Sequence, residues 1–143
     1  MNKITSFRGP YSFLSNFYTC KVYYEGITYR SVEAAFQAAK TLDINTRLKF
    51  VNLSALEAKK LGHSIPLRSD WEQVKDEIME ELVRNKFMRN ERLRKKLLET
   101  GDAELIEGNY WDDMYWGVCN GKGQNKLGKI LMKIREELKE VLE

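Results

Sequence analysis

A single histidine, His63, and two cysteines, Cys20 and Cys119, are the chain's whole supply of soft metal ligands. That excludes a zinc or di-iron ligand set and leaves too few thiols for a disulfide framework. Two isolated thiols suit a reducing compartment. No apolar run approaches bilayer length, and the opening Met1-Asn-Lys-Ile-Thr-Ser lacks the apolar core of a signal peptide, so a cytoplasmic location is expected. Proline is scarce, at two residues, and no Pro- or Ser-rich linker, repeat or low-complexity tract divides the 143 residues. One domain over 1–143 is the simplest expectation. A strong excess of one charge is also missing. A net charge of +3 permits an anionic substrate but falls short of the basic footprint of a protein that lives on nucleic acid. Phosphate-bearing small molecules fit that balance better than bulk DNA.

What is present is the composition of a folded globular chain, 43% hydrophobic and 31% charged. The segment from Phe7 to Tyr18 mixes aromatics with Gly, Pro, Ser and Asn, which favours an ordered loop over a helix. Lys21–Tyr24 and Ile27–Tyr29 flank Glu25-Gly26 and read as a short hairpin. Helices follow nearly to the end. The first is opened by Ser31, with Val32, Ala35, Phe36 and Ala39 on one face. The next covers Asn45–Asn52, and another opens on the capping box Ser54-Ala-Leu-Glu57 and stops at Gly62. A second capping box, Ser69-Asp-Trp-Glu72, leads a stripe of Trp71, Val74, Ile78, Leu82 and Phe87. Asn90 is placed to cap a helix carrying Leu93, Leu97 and Leu98 that ends at Thr100-Gly101. The last helix starts near Asn125 and carries Leu127, Ile130, Leu131, Ile134, Leu138 and Val141, with a solvated charged face from Lys129 to Glu143. The fold class is mainly α (α+β), with a small antiparallel hairpin near the N-terminus.

Five stretches carry polar residues in unusual company. In Ser31-Val-Glu-Ala-Ala-Phe-Gln37, Glu33 and Gln37 stand four apart on one face of an Ala-rich helix, the pattern of a polar cleft wall. From that window alone, a first-turn Glu favoured by the helix dipole and a solvated Gln is the simpler explanation. Asn16, between Leu14 and Phe17, needs partners if buried, since an unpaired amide costs about 1–3 kcal/mol. A turn-forming Asn accounts for it equally well. Arg68 precedes a helix start and Lys75 follows Trp71 by four, so two cations flank an aromatic plate. A core Trp71 with surface charges is the plainer account. The run Glu107–Gly117 places acids and an Asn among aromatic rings, a composition typical of site loops. Gly121-Lys-Gly-Gln-Asn-Lys-Leu-Gly128 is Gly-rich and basic, and its backbone N–H groups offer a phosphate cradle. It matches neither the P-loop nor the dinucleotide fingerprint.

Taken together, Arg8-Gly9, Phe13-Leu-Ser-Asn-Phe-Tyr18, Tyr29–Lys40, Leu61-Gly62, Arg68-Ser-Asp-Trp71 with Lys75, Lys86-Phe87, Thr100-Gly101, Leu105–Asn109, Asp113–Gly117 and Gly123–Gly128 with Met132 and Arg135 resemble the NADAR, or YbiA-like, family of N-glycosidases. The segments run in the family's order over almost the whole chain. The resemblance implies a single YbiA-like helical domain and a hydrolase of ribosyl C1′–N bonds that needs no metal or other cofactor. Family members act on phosphorylated riboflavin-pathway intermediates, and others remove ADP-ribose from modified guanine. The resemblance implies catalytic roles for Glu33 and Asp113. It implies substrate binding by Arg8, Gly9, Asn16, Phe17, Gln37, Arg68, Trp71, Lys75, Trp116 and Asn125, with Lys122 or Lys126 as further phosphate ligands. Trp71 or Trp116 would be the stacking plate. Many relatives carry His-Tyr or similarly bulky residues after the helix Glu, where this chain has Ala34-Ala35, implying a pocket of different volume.

Breaking a C1′–N bond builds positive charge on the ribose. A nearby carboxylate stabilises that charge and can take a proton from the attacking water, which suits Glu33. The expected substrate is therefore a phosphoribosyl-linked base or amine, with no membrane and no stable nucleic-acid partner. An ADP-ribosyl glycohydrolase and a non-catalytic NAD or ADP-ribose module are the alternatives. A third, an interaction protein docking through its charged C-terminal helix, leaves Asn16, Glu33 and Asp113 without a role.

Overall fold

The computed structural model describes residues 2–142, so Glu143, the last charge expected on the C-terminal helix face, lies outside the described residues. The elements in order are β1 (Lys3–Ile4), a 3-10 turn (Gly9–Leu14), β2 (Val22–Tyr24), β3 (Ile27–Tyr29), α1 (Val32–Ala38), α2 (Ile44–Leu48), α3 (Ala55–Gly62), α4 (Trp71–Arg89), α5 (Glu91–Glu99), β4 (Glu104–Leu105), β5 (Gly108–Asn109), β6 (Val118–Cys119) and α6 (Lys126–Leu142). The class is mixed, mainly helical with small sheets. The chain falls into two compact units, one of residues 16–91 and one of residues 1–15 with 92–143.

In the unit of residues 16–91, β2 and β3 form the expected antiparallel hairpin. Its turn residues Glu25 and Gly26 both have positive φ, 46° and 88°, the twist that suits a two-residue connection. The hairpin delivers the chain to Ser31, whose hydroxyl accepts from the Ala34 N–H and caps α1. Expected to be buried on one face, α1 is buried all round, from Ser31 to Ala39. Its alanines let α3, α4 and the hairpin close on it from several sides. Phe36 meets Trp71 at 5.0 Å between ring centroids. Along α4, Trp71, Ile78, Met79, Leu82, Val83 and Phe87 are buried, each worth about 1.5–3 kcal/mol for a residue of that size.

Two local expectations change here and one holds. The helix expected over Asn45–Asn52 is shorter and starts earlier, at Ile44, because Asp43 accepts from the Thr46 N–H and fixes its start. The Ser54–Glu57 capping box forms as expected. The Ser69–Glu72 box does not: Asp70 stands at the cap of α4 without a capping bond, its carboxylate drawn instead to Arg68.

In the other unit, β1 pairs with β4 and β5 with β6, both parallel and only two residues long. The 3-10 turn replaces the loop expected around Pro10 and buries Phe13 and Leu14. Leu127, Leu131, Ile134 and Leu138 of α6 are buried, whereas Val141, expected to continue the stripe, is 76% exposed. Asn90, expected to cap α5, donates its amide to the Lys86 carbonyl at the end of α4.

Candidate active site

The cluster best suited to chemistry stands on α1. Glu33, 9% exposed, and Gln37, 5% exposed, are the polar side chains buried along this helix. Gln37 Nε2 donates to Glu33 Oε2 at 2.7 Å. Burial of both rules out the solvated glutamine that the plainer account required. The bond also fixes the amide's orientation, because turning it would set oxygen against the carboxylate. In front of the helix, the Glu33 backbone N–H donates to the Asn16 carbonyl at 3.0 Å, so the loop before the hairpin is tied to the first turn of α1. Asn16 is part-buried, and its Nδ2 lies 3.5 Å from Met79 Sδ.

Lys40 belongs with this cluster and was not singled out from sequence. Burial lowers its pKa, while the Glu33 carboxylate beside it acts the opposite way. Lys40 lies just past the C-cap of α1, Ala39. Lys86 is a buried cation, 1% exposed, with its ammonium 5.5 Å from the centroid of the Tyr18 ring and 5.2 Å from that of Phe87. Burial pushes its pKa down to about 8.

Other expected binding residues of this unit take structural places. Arg68 holds Asp70 through two nitrogens, at 2.7 and 3.1 Å, which lowers the Asp70 pKa. Its backbone N–H donates to the Lys40 carbonyl at 2.7 Å and its guanidinium reaches the Ala39 carbonyl at 3.4 Å. It thus staples the C-terminus of α1, the negative end of that helix, rather than standing ready for a phosphate. Trp71, 6% exposed, packs against Phe36 in the core. Lys75 pairs with Glu72 at 2.8 Å. Phe17 is 41% exposed, with the Lys59 ammonium 5.8 Å from its ring centroid.

The remaining candidates belong to the unit of residues 1–15 and 92–143. There Asn109 organises the aromatic loop, accepting from the Asp113 N–H at 3.1 Å and donating to the Asp113 carbonyl at 2.9 Å. Asp113 Oδ1 accepts from the N–H groups of Tyr115 and Trp116 at 3.1 and 2.9 Å. The acid expected to act on substrate therefore shapes its own turn with one oxygen. Gly117 is obligatory in this loop, since a Cβ there would lie 2.1 Å from Glu107 Oε1. Trp116 is part-buried, edge-on to Tyr115 at 4.8 Å. The Arg8 guanidinium lies 5.0 Å from the Tyr110 ring centroid and 5.7 Å from that of Trp111, both exposed rings, and Gly9 at φ 57° turns the chain behind it.

The phosphate cradle expected at Gly121–Gly128 is already filled by the chain. The N–H groups of Lys122, Gln124, Asn125, Lys126 and Leu127 donate to the carbonyls of Cys119, Met114, Gly117, Tyr115 and Trp116. Asn125 is 8% exposed, accepting from the Glu107 N–H at 2.9 Å and donating to the Leu105 carbonyl at 3.0 Å. It clamps the chain on either side of Ile106. The Lys126 ammonium lies 4.7 Å from the Tyr115 ring centroid.

The chain is similar over most of its length to known proteins. The chain is 39% identical over 132 residues to the N-glycosidase YbiA of Escherichia coli, covering 90% of this chain and 82% of the relative. It is 36% identical over 140 residues to an N-glycosidase of Nostoc punctiforme, covering 93% and 89%. A riboflavin biosynthesis protein of Vibrio vulnificus is 39% identical over 134 residues, which are 91% of this chain but only 36% of that longer protein. The NMR structure of E. coli YbiA superposes with a TM-score of 0.85 at 38% identity, covering 99% of this chain and 86% of that one. These likenesses place the chain among hydrolases of the N-glycosidase class. The NADAR domain model matches residues 5–139, and the chain belongs to the NADAR family.

Proposed function

We propose that the protein hydrolyses the C1′–N bond of a phosphoribosyl-linked base or amine of the riboflavin-pathway kind, in the cytoplasm. The observation that carries this reading is the buried Glu33 carboxylate, held by Gln37 on a helix closed in on every side. Ionised, it stabilises the cation that develops on the ribose as the bond to nitrogen lengthens. It also takes a proton from the water that attacks C1′, so that the C1′–O bond forms as the nitrogen leaves with its electron pair and is protonated. Gln37 fixes the carboxylate's orientation, and Asn16 ties down the chain in front of it. Arg68 and Lys75, two of the cations expected to hold phosphate, each pair with a carboxylate of their own.

The test is a mass-spectrometric screen of purified protein against phosphoribosyl riboflavin precursors, NAD, ADP-ribose and ADP-ribosylated guanine. Ribose 5-phosphate released from the first group supports the proposal. Release of ADP-ribose from modified guanine alone would replace its substrate half. Binding without any product would replace catalysis with a ligand-holding module.

A further inference from the structure

Gly62 closes α3 and is buried against α1. A Cβ at this position would lie 1.9 Å from Gln37 Oε1, 2.7 Å from Gln37 Cδ and 3.1 Å from Gln37 Cβ. These are the three heavy atoms nearest to that position. Oε1 is buried without a hydrogen-bond partner and occupies the space that a Cβ on residue 62 would take. The same amide gives its N–H to Glu33 Oε2. Gly62 is an ordinary helical residue whose φ is not in the left-handed region, so backbone conformation does not require glycine there. In helix interiors alanine is the better helix former.

We propose that Gly62 is a positioning residue for the Glu33 carboxylate, acting through Gln37: the missing side chain on α3 is what lets the Gln37 amide lie flat against it and reach back to the acid. The inference rests on the proposed role of Glu33 but is separable from it in test. The two atoms nearer than 3.0 Å, Gln37 Oε1 and Cδ, are the far end of a flexible side chain, and Gln37 Cβ at 3.1 Å asks the helices to give by only a few tenths of an ångström. Gly62→Ala is therefore expected to keep the fold while forcing the Gln37 amide off its site by more than its bond to Glu33 tolerates. Misplacement of about 1 Å at a reacting group costs on the order of 10²-fold in rate.

The experiment is a double-mutant cycle of Gly62→Ala and Gln37→Ala, read by thermal stability, kcat and KM, and by the titration of the Glu33 carboxyl with carbon-13 NMR. Gly62→Ala is expected to lower kcat on the order of 10²-fold with KM little changed. Removing a donor to the carboxylate raises its pKa, so the acid limb of the pH–rate profile moves up and the NMR titration moves with it. In the Gln37→Ala background Oε1 and Cδ are gone and only Cβ, at 3.1 Å, remains near the new methyl, so adding Gly62→Ala should change rate and titration far less. Equal losses in both backgrounds, an unmoved Glu33 titration in Gly62→Ala, or a folding defect that Gln37→Ala does not rescue would overturn the proposal. A protein without turnover on any glycoside, but with the Glu33 titration coupled to residue 62 as described, would refute the enzymatic reading and leave the positioning intact.

Discussion

Lys86 puts a cation where water does not reach, and the fold bears that cost at neutral pH. Burial depresses its pKa from the ordinary 10.5 to about 8. Between those values the unfolded chain binds more protons than the native one, so stability rises with pH across that window and lies at its lower level below it. Wild type should gain up to roughly 3 kcal/mol over Lys86→Met between pH 8 and 10.5. Urea denaturation of the two proteins at stepped pH measures it, and parallel curves would show that the buried ammonium is compensated. Asp113 poses a different question at the same scale, whether its carboxyl group builds a turn or also acts as a charge. Asp113→Ala removes the acceptor of two backbone N–H groups and should cost about 1–3 kcal/mol locally, read as faster hydrogen exchange at Tyr115 and Trp116. Asp113→Asn keeps an oxygen at that place and should preserve the protection. If Asp113→Asn then still loses turnover, the charge itself is needed.

Among the elements, α1 carries the acid and depends on its cap. Ser31 is 1% exposed and its hydroxyl holds the Ala34 N–H at 3.0 Å. Ser31→Ala should cost about 1–2 kcal/mol, lowering the melting temperature, while Ser31→Thr, which keeps a neutral hydroxyl acceptor, should cost less. The cap and the hairpin before α1 were legible because both are local: a hydroxyl three residues from its partner, and a Glu-Gly turn between β-branched and aromatic residues. The Glu33–Gln37 pairing followed from helical spacing. What spacing could not tell is that Ala34, Ala35, Ala38 and Ala39 bring neighbours onto every side of the helix, turning a half-exposed pair into a buried one. The parallel pairs β1–β4 and β5–β6 were invisible, since strands of two residues have no period and their partners are distant in sequence. The capping box at Ser69 failed because Arg68 outbid the helix for Asp70, and the cradle at Gly121–Gly128 failed because carbonyls from residues 114–119 took its N–H groups.

For the molecule as a whole, the twelve residues expected at the site sort by environment rather than by type. Glu33 and Gln37 are buried and paired to each other, as a reacting group and its holder must be. Arg68, Trp71 and Asn125 have the residue types of ligands but the contacts of scaffold, a distinction set by tertiary neighbours and absent from any single stretch of chain. Arg8, Phe17 and Trp116 retain exposed or part-exposed surface. The central claim reduces to the negative charge on one side chain. Glu33→Gln keeps the shape of α1 and removes that charge, so product release from a phosphoribosyl riboflavin precursor, followed by mass spectrometry in wild type and variant of equal thermal stability, tests it most directly. The account predicts a fall in kcat of about 10²–10⁴-fold in the variant with substrate binding retained. A variant that folds, binds and turns over at the wild-type rate would contradict it.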